Sequence, residues 1–168
     1  MWAACPHAEW MIWSLEQLSY PEEPNFRLFA AACARRHWHL LTDSRSREAV
    51  QAAESFASQK ADVYQLRYAR MTARAAADEA TLDRSWTAAS AAAAMIAYET
   101  TRSSEFAAAR EAGKFGLRIA AWNPKSSIDP DQEDVWQTEQ MRRIFAPRLN
   151  VILSLAQRKK DSIEQYDA

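Results

Sequence analysis

Glycine is almost missing from this chain: Gly113 and Gly116 are the only two in 168 residues. That scarcity excludes folds that depend on glycine for tight hairpins or close approach to phosphate, such as a β-sandwich, a dinucleotide-binding fold or a phosphate-loop enzyme. Cysteine is as rare, with Cys5 and Cys33 alone, too few for a disulfide scaffold. Proline is absent between Pro24 and Pro124, so the middle of the chain is free of the main helix breaker. Charge of one sign is lacking too. With 21 basic and 22 acidic residues the formal net charge is −1, and no global field exists to hold nucleic acid or an anionic membrane. The longest small-apolar run, Ala88 to Ala97, is broken by Ser90 and reaches about half the length of a membrane span. Met1 to His7 lacks the basic flank and apolar run of a signal peptide. The expected location is cytoplasmic, with no membrane partner.

What is present is alanine, the strongest helix former, from end to end. Hydrophobic residues make up 48 % of the chain, enough to exclude disorder and to build one core in a domain of this length. Helical spacing predicts a first helix over about Ala8–Leu18, with Met11, Ile12, Leu15 and Leu18 on its inner side. After the turn Tyr20–Asn25, a second carries Phe26, Phe29, Cys33, Trp38 and Leu41. Asp43 is an N-cap for a third, with Ala49, Val50, Ala53 and Phe56 inward. A fourth covers about Ala61–Glu79 and a fifth about Leu82–Thr100. The Thr100–Ser104 cluster caps a sixth through Trp122, in which Gly113 and Gly116 mark either a break or a close helix contact. Asn123–Asp131 is a loop. A seventh helix follows over about Gln132–Phe145, and after Pro147 a last one runs from Leu149 to about Gln165. The fold class is all-α: a single bundle-like domain, residues 1–168, of about seven or eight helices, with a polar tail that frays from about residue 157.

Four constellations invite a chemical reading. Cys5, His7, Cys33 and His37 are zinc-ligand types, and Cys33 and His37, four apart, share a helix face; the competing reading makes Cys33 a buried small hydrophobe and His7 a solvated terminal residue. Arg67, Arg70 and Arg74 form a stripe along the fourth helix, with Lys60 beyond its start, suited to a phosphate backbone unless ion pairs such as Arg74–Asp78 consume it. Arg35 and Arg36, with Arg45 and Arg47 past the next turn, suit either a carboxylate or phosphate pocket or the capping of helix ends. Seven tryptophans are many for this length. Trp10, Trp13, Trp38, Trp86, Trp122 and Trp136 mostly fall among apolar residues, so core packing is their default, while Trp2, and Trp13 as the alternative to its core placement, suit the surface, where tryptophan beside arginine makes a binding hot spot. Enzyme signatures are missing: no Glu-x-x-His pair, no His-Glu-x-x-His, no Gly-x-Ser-x-Gly, and no strand before Gly113–Gly116.

The stretch Arg27–Leu41, with Ala32-Cys33-Ala34-Arg35-Arg36-His37-Trp38-His39-Leu40-Leu41 at its centre, continues through Asp43, Ser44–Arg47, Ala49-Val50 and Ala53-Glu54. It resembles a family of uncharacterised bacterial proteins, found mainly in planctomycetes, whose pattern runs Ala-Cys-x-Arg-Arg-x-Trp-His-Leu-Leu. Trp2–Cys5, Met11 and Met141–Phe145 are similar as well. The resemblance covers about the first third and one later segment. It implies a helical domain and singles out Cys5, Cys33, Arg35, Arg36, Trp38 and His39, with no activity attached. The chain departs from the pattern at Ala34, where the family has a second cysteine, and after Phe145, where longer relatives continue. Both departures weigh against a metal site.

The expected function is a non-enzymatic, intracellular protein-interaction module, binding a protein partner or a second copy through Trp2, Trp13, Arg35, Arg36, Arg45 and Arg47. The alternative is a nucleic-acid-associated helical subunit using Arg67, Arg70 and Arg74. A third reading is a zinc-stabilised domain through Cys5, His7, Cys33 and His37; otherwise no cofactor is expected.

Overall fold

The computed structural model describes residues 4–21, 24–83, 86–123 and 128–166, with side chains described as far as residue 160. These residues form α1 (Ala8–Gln17), α2 (Pro24–Arg36), α3 (Ser44–Ala57), α4 (Val63–Leu82), α5 (Ala88–Glu99), α6 (Glu105–Trp122), α7 (Pro130–Phe145) and α8 (Leu149–Tyr166). Short 3-10 turns occupy Trp38–Leu40 and Ala146–Arg148, and no strand occurs among the described residues. The all-α expectation holds. No helix among the described residues is long and apolar enough to cross a membrane.

Side-chain caps decide where the helices begin. Asp43 accepts from the Arg45 amide, Thr87 from Ser90 and Ser104 from Ala107. Asp62 and Asp129 each build a reciprocal box, with Gln65 and Gln132 reaching back to the cap amide. Each cap satisfies an orphan amide and contributes about 1 kcal/mol. They also account for the displaced boundaries. The fourth helix starts after Asp62 and runs on to Leu82; the fifth starts after Thr87 rather than at Leu82; the seventh starts at Pro130, whose fixed φ suits the first helical position. α2 stops at Arg36, and the apolar run beyond it turns through Trp38–Leu40. α6 runs unbroken through both glycines, which resolves their alternative in favour of close contact.

The helices stack in layers. α4 packs on α3 and α5; these meet α2 and α6; and α7 and α1 close the far side, α1 lying chiefly against α6 and α7. The central core holds Met11, Ile12, Leu15, Phe26, Phe29, Ile96, Phe106, Ile119, Met141 and Phe145. Phe26 is its hub, with ring centroids 4.2 Å from Phe106 and 4.7 Å from Phe145. A second cluster, between α3, α4 and α5, is nearly all alanine: Ala49, Ala69, Ala73, Ala77, Ala80 and Ala94, with Tyr98.

The tryptophan expectation is corrected here. Trp10 and Trp122 are 55 % and 51 % exposed rather than buried, and Trp38, Trp86 and Trp136 are only partly covered. A charge takes the deep place instead. Arg27, 1 % exposed, donates from Nη1 to the Thr100 carbonyl at 2.7 Å and lies 3.5 Å from Glu105, tying α2 to the end of α5 and the start of α6.

Candidate functional site

The four candidate zinc ligands separate into two places, one on each side of α7. Cys33, on the inner face of α2, and His37, one residue past its end, are both buried. They look onto Glu133, whose carboxylate is fully buried. Arg36 Nε donates to its Oε2 at 2.6 Å and Gln137 Nε2 to its Oε1 at 3.1 Å. His37 Nε2 stands 3.7 Å away, an ion-pair distance rather than a hydrogen bond. Burial pushes the Glu133 carboxyl up, but His37, Gln137 and Arg36 facing it outweigh burial and hold it below the ordinary range. The Cys33 thiol is pushed well up, by burial first and by the nearby Glu133 charge second. Gly116 makes this cluster fit: a Cβ there would lie 2.7 Å from Gln137 Nε2 and 3.1 Å from Glu133 Oε1.

Cys5 and His7 lie on the segment before α1. His7 Nδ1 meets the carboxylate of Asp134 at close range. Thr138 Oγ1 donates to the Pro6 carbonyl at 3.0 Å and Arg142 Nη2 to the Cys5 carbonyl at 2.8 Å. The segment is therefore clamped to α7 by three ties. Glu133 and Asp134 are chain neighbours, and neighbours on a helix point in different directions, so each histidine finds its own acid. Among the described residues no group of three or more His, Cys, Asp or Glu is placed to hold a metal ion.

The arginine stripe also divides. Arg70 donates to the Tyr98 hydroxyl at 2.7 Å and lies over its ring; Arg74 pairs with Asp78 at 2.8 Å. Arg67 is exposed and has no ion pair among the described residues, while Lys60 precedes the helix. Beside Arg67, Tyr64, Tyr68 and Met71 are exposed along the outer face of α4.

The arginines expected to bind a partner prove to be ties within the bundle. Arg35 holds Glu54 through two bonds of 2.9 and 2.7 Å and stacks on Trp38. Arg36 stacks on Trp136 while holding Glu133. Arg45 bridges Asp43 and Glu79, joining α3 to α4, and holds both carboxyls low. Arg47 donates to the Leu41 carbonyl at 2.5 Å. Trp2 lies outside the described residues.

Trp13 is the expected partner residue that the structure leaves open. It is 58 % exposed and stands one turn from Trp10 on the outer face of α1. The two indoles, with Cys5, Pro6, Glu9 and Arg110, line an open and mostly apolar groove. Trp10 meets the His7 ring edge-on, with centroids 4.4 Å apart, so the clamp on α7 also sets the indole's position. The groove adjoins a smaller cavity reaching between α1, α6 and α7. Sequence reasoning missed Trp10, Arg110, Asp134, Glu133 and Gln137. Trp10 carried a usable signal: with Trp13 three residues on, it sits opposite the Met11–Ile12–Leu15 face and so points outward.

Comparisons with protein-family models, curated proteins and solved structures give no match to this chain.

Proposed function

We propose that the chain is a non-enzymatic protein-interaction module of the cell interior, docking its partner in the α1 groove with Trp10 and Trp13 as anchors. One observation carries this reading: two tryptophans more than half exposed, one turn apart, beside Pro6 and Cys5 and rimmed by Glu9 and Arg110. Water contact with large apolar rings is unfavourable, and a contiguous patch of them with a charged rim is the composition of a binding hot spot. The module reading keeps Trp13 from the sequence argument and adds Trp10 and Arg110, while Arg35, Arg36, Arg45 and Arg47 each already hold a carboxylate or carbonyl of the chain.

Site-specific photo-crosslinking tests it. A photoreactive side chain at Ser14, on the groove, should capture a discrete protein in cells, and the product should vanish in the Trp10→Ser/Trp13→Ser variant. The same probe at exposed Gln51 should not give that product. An anchor of this kind contributes at least about 2 kcal/mol, so the purified partner should bind the double variant at least about thirtyfold more weakly. Equal capture from both positions, or capture indifferent to the two substitutions, sinks the reading.

A second reading keeps the nucleic-acid alternative on narrower ground: Tyr64 and Tyr68, exposed on either side of Arg67, suit base stacking beside a cation. It expects a single-stranded oligonucleotide to bind at low salt and to be lost in Arg67→Glu; no binding at low salt removes it.

A further inference from the structure

The cavity beside the tryptophan groove has a volume of about 220 Å³ and walls of two kinds. Ile12, Leu117 and the ring of Trp10 supply apolar surface, while Lys114 and Arg110 stand one turn apart on α6. These two cations are loosely engaged. Lys114 Nζ lies 3.5 Å from Glu111 and 3.8 Å from Glu9; Arg110 lies 3.4 Å from Glu16 and 3.6 Å from Glu111. Arg35, Arg36 and Arg74 hold their carboxylates at 2.7, 2.6 and 2.8 Å. Long contacts between half-exposed groups contribute little and are readily exchanged for a better anion. Of the acids on the cavity wall, Asp134 is taken by His7, and Glu9 is already the most distant of the four contacts.

The floor is closely fitted. The Gln137 amide nitrogen donates to the Gly113 carbonyl at 3.0 Å as well as to Glu133, and a Cβ at Gly113 would come within 3.0 Å of Gln137 Oε1. Residue 113 therefore lines the cavity without a side chain to fill it. An apolar cavity of about 150 Å³ admits a benzene ring, so this one has room for a ring and one small polar group.

We infer that the cavity binds a small organic anion, its apolar body against Trp10, Ile12 and Leu117 and its carboxylate on Lys114 and Arg110. The inference concerns the chain alone and does not rest on a macromolecule in the groove.

Amide and indole NMR shifts of the isolated protein test it, with benzoate, benzamide and benzylamine titrated separately at fixed ionic strength. Benzoate should bind saturably, with a dissociation constant on the order of millimolar for a ligand of so few atoms. The shifts should centre on Gly113, Lys114, Leu117 and the Trp10 indole. Lys114→Gln and Arg110→Gln should each weaken it about three- to fivefold, with melting curves confirming that both variants fold; Arg143→Gln, an exposed cation of α7 outside the cavity lining, should change nothing. Equal binding of benzamide, preference for benzylamine, shifts centred elsewhere, or no saturation overturns the inference. Any of these leaves the groove reading to its own cross-linking test.

Discussion

Glu133 is the residue whose surroundings most constrain its chemistry. Its carboxylate is removed from water, and only its three facing groups keep it charged. Removing one member of a buried pair costs about 3–5 kcal/mol, because the partner is left without compensation; Arg36, still partly exposed, can recover some hydration. Glu133→Ala should therefore lower the unfolding free energy by about 3 kcal/mol in urea titrations. The folded carboxyl releases its proton more readily than the unfolded one, whose ordinary value is 4.5. Its contribution is thus complete above that pH and lost as pH falls below it, so the wild type should lose stability on acidification more steeply than Glu133→Gln. Equal slopes would show that the site does not carry a stabilising charge. Cys33 makes a contrasting prediction. Its raised, buried thiol should ignore a thiol reagent in the native state and react only on unfolding, whereas half-buried Cys5 should react before unfolding. Two fast-reacting thiols in the native protein would contradict the packing of α2.

At the scale of the helix, what was legible in the sequence was whatever is local. Asp43 and the Thr100–Ser104 cluster announced their helices because a cap acts within three residues. The inner faces of α1 and α3 could be read from spacing, since Met11, Ile12, Leu15, Ala49, Val50 and Ala53 all turn inward. Asp62, Thr87 and Asp129 act by the same chemistry but stand inside alanine-rich or polar stretches, where several starting points satisfy the pattern. The pairs that make the candidate sites were not legible. Arg36 with Glu133 and His7 with Asp134 join residues about a hundred or more positions apart, and no periodicity encodes such a meeting. Alanine was read correctly as a helix former, but its second effect, filling the seam between α3, α4 and α5 with small side chains, belongs to packing. That effect has a cost in α4. Its inner face, Leu66, Ala69, Ala73, Ala76, Ala77 and Ala80, buries little apolar area per turn, and stabilisation scales with that area. Amides in the middle of α4 should exchange with solvent faster than those in the middle of α2 or α6, through an opening smaller than global unfolding. Equal protection across the three helices would count against the alanine seam as the weakest layer.

At the scale of the whole molecule, the segment before α1 ties the beginning of the described chain to α7. Thr138→Val with Arg142→Ala removes two of the three ties, each worth about 1 kcal/mol, and should lower the melting temperature by a few degrees. It should also free residues 4–9 to fast motion in backbone relaxation; unchanged rigidity there would show that α1 is held by its apolar face alone. The same clamp has a consequence for how the protein is made. α1 packs chiefly on α6 and α7, so when it leaves the ribosome the surfaces it folds against have not yet been made. At about 5–20 residues per second, synthesis must run for on the order of ten seconds before Asp134, Thr138 and Arg142 emerge. Throughout that interval both faces of the segment are bare, Met11, Ile12 and Leu15 on one side and Trp10 and Trp13 on the other. Each nascent chain is thus an early target for chaperones and for neighbouring copies on the same message.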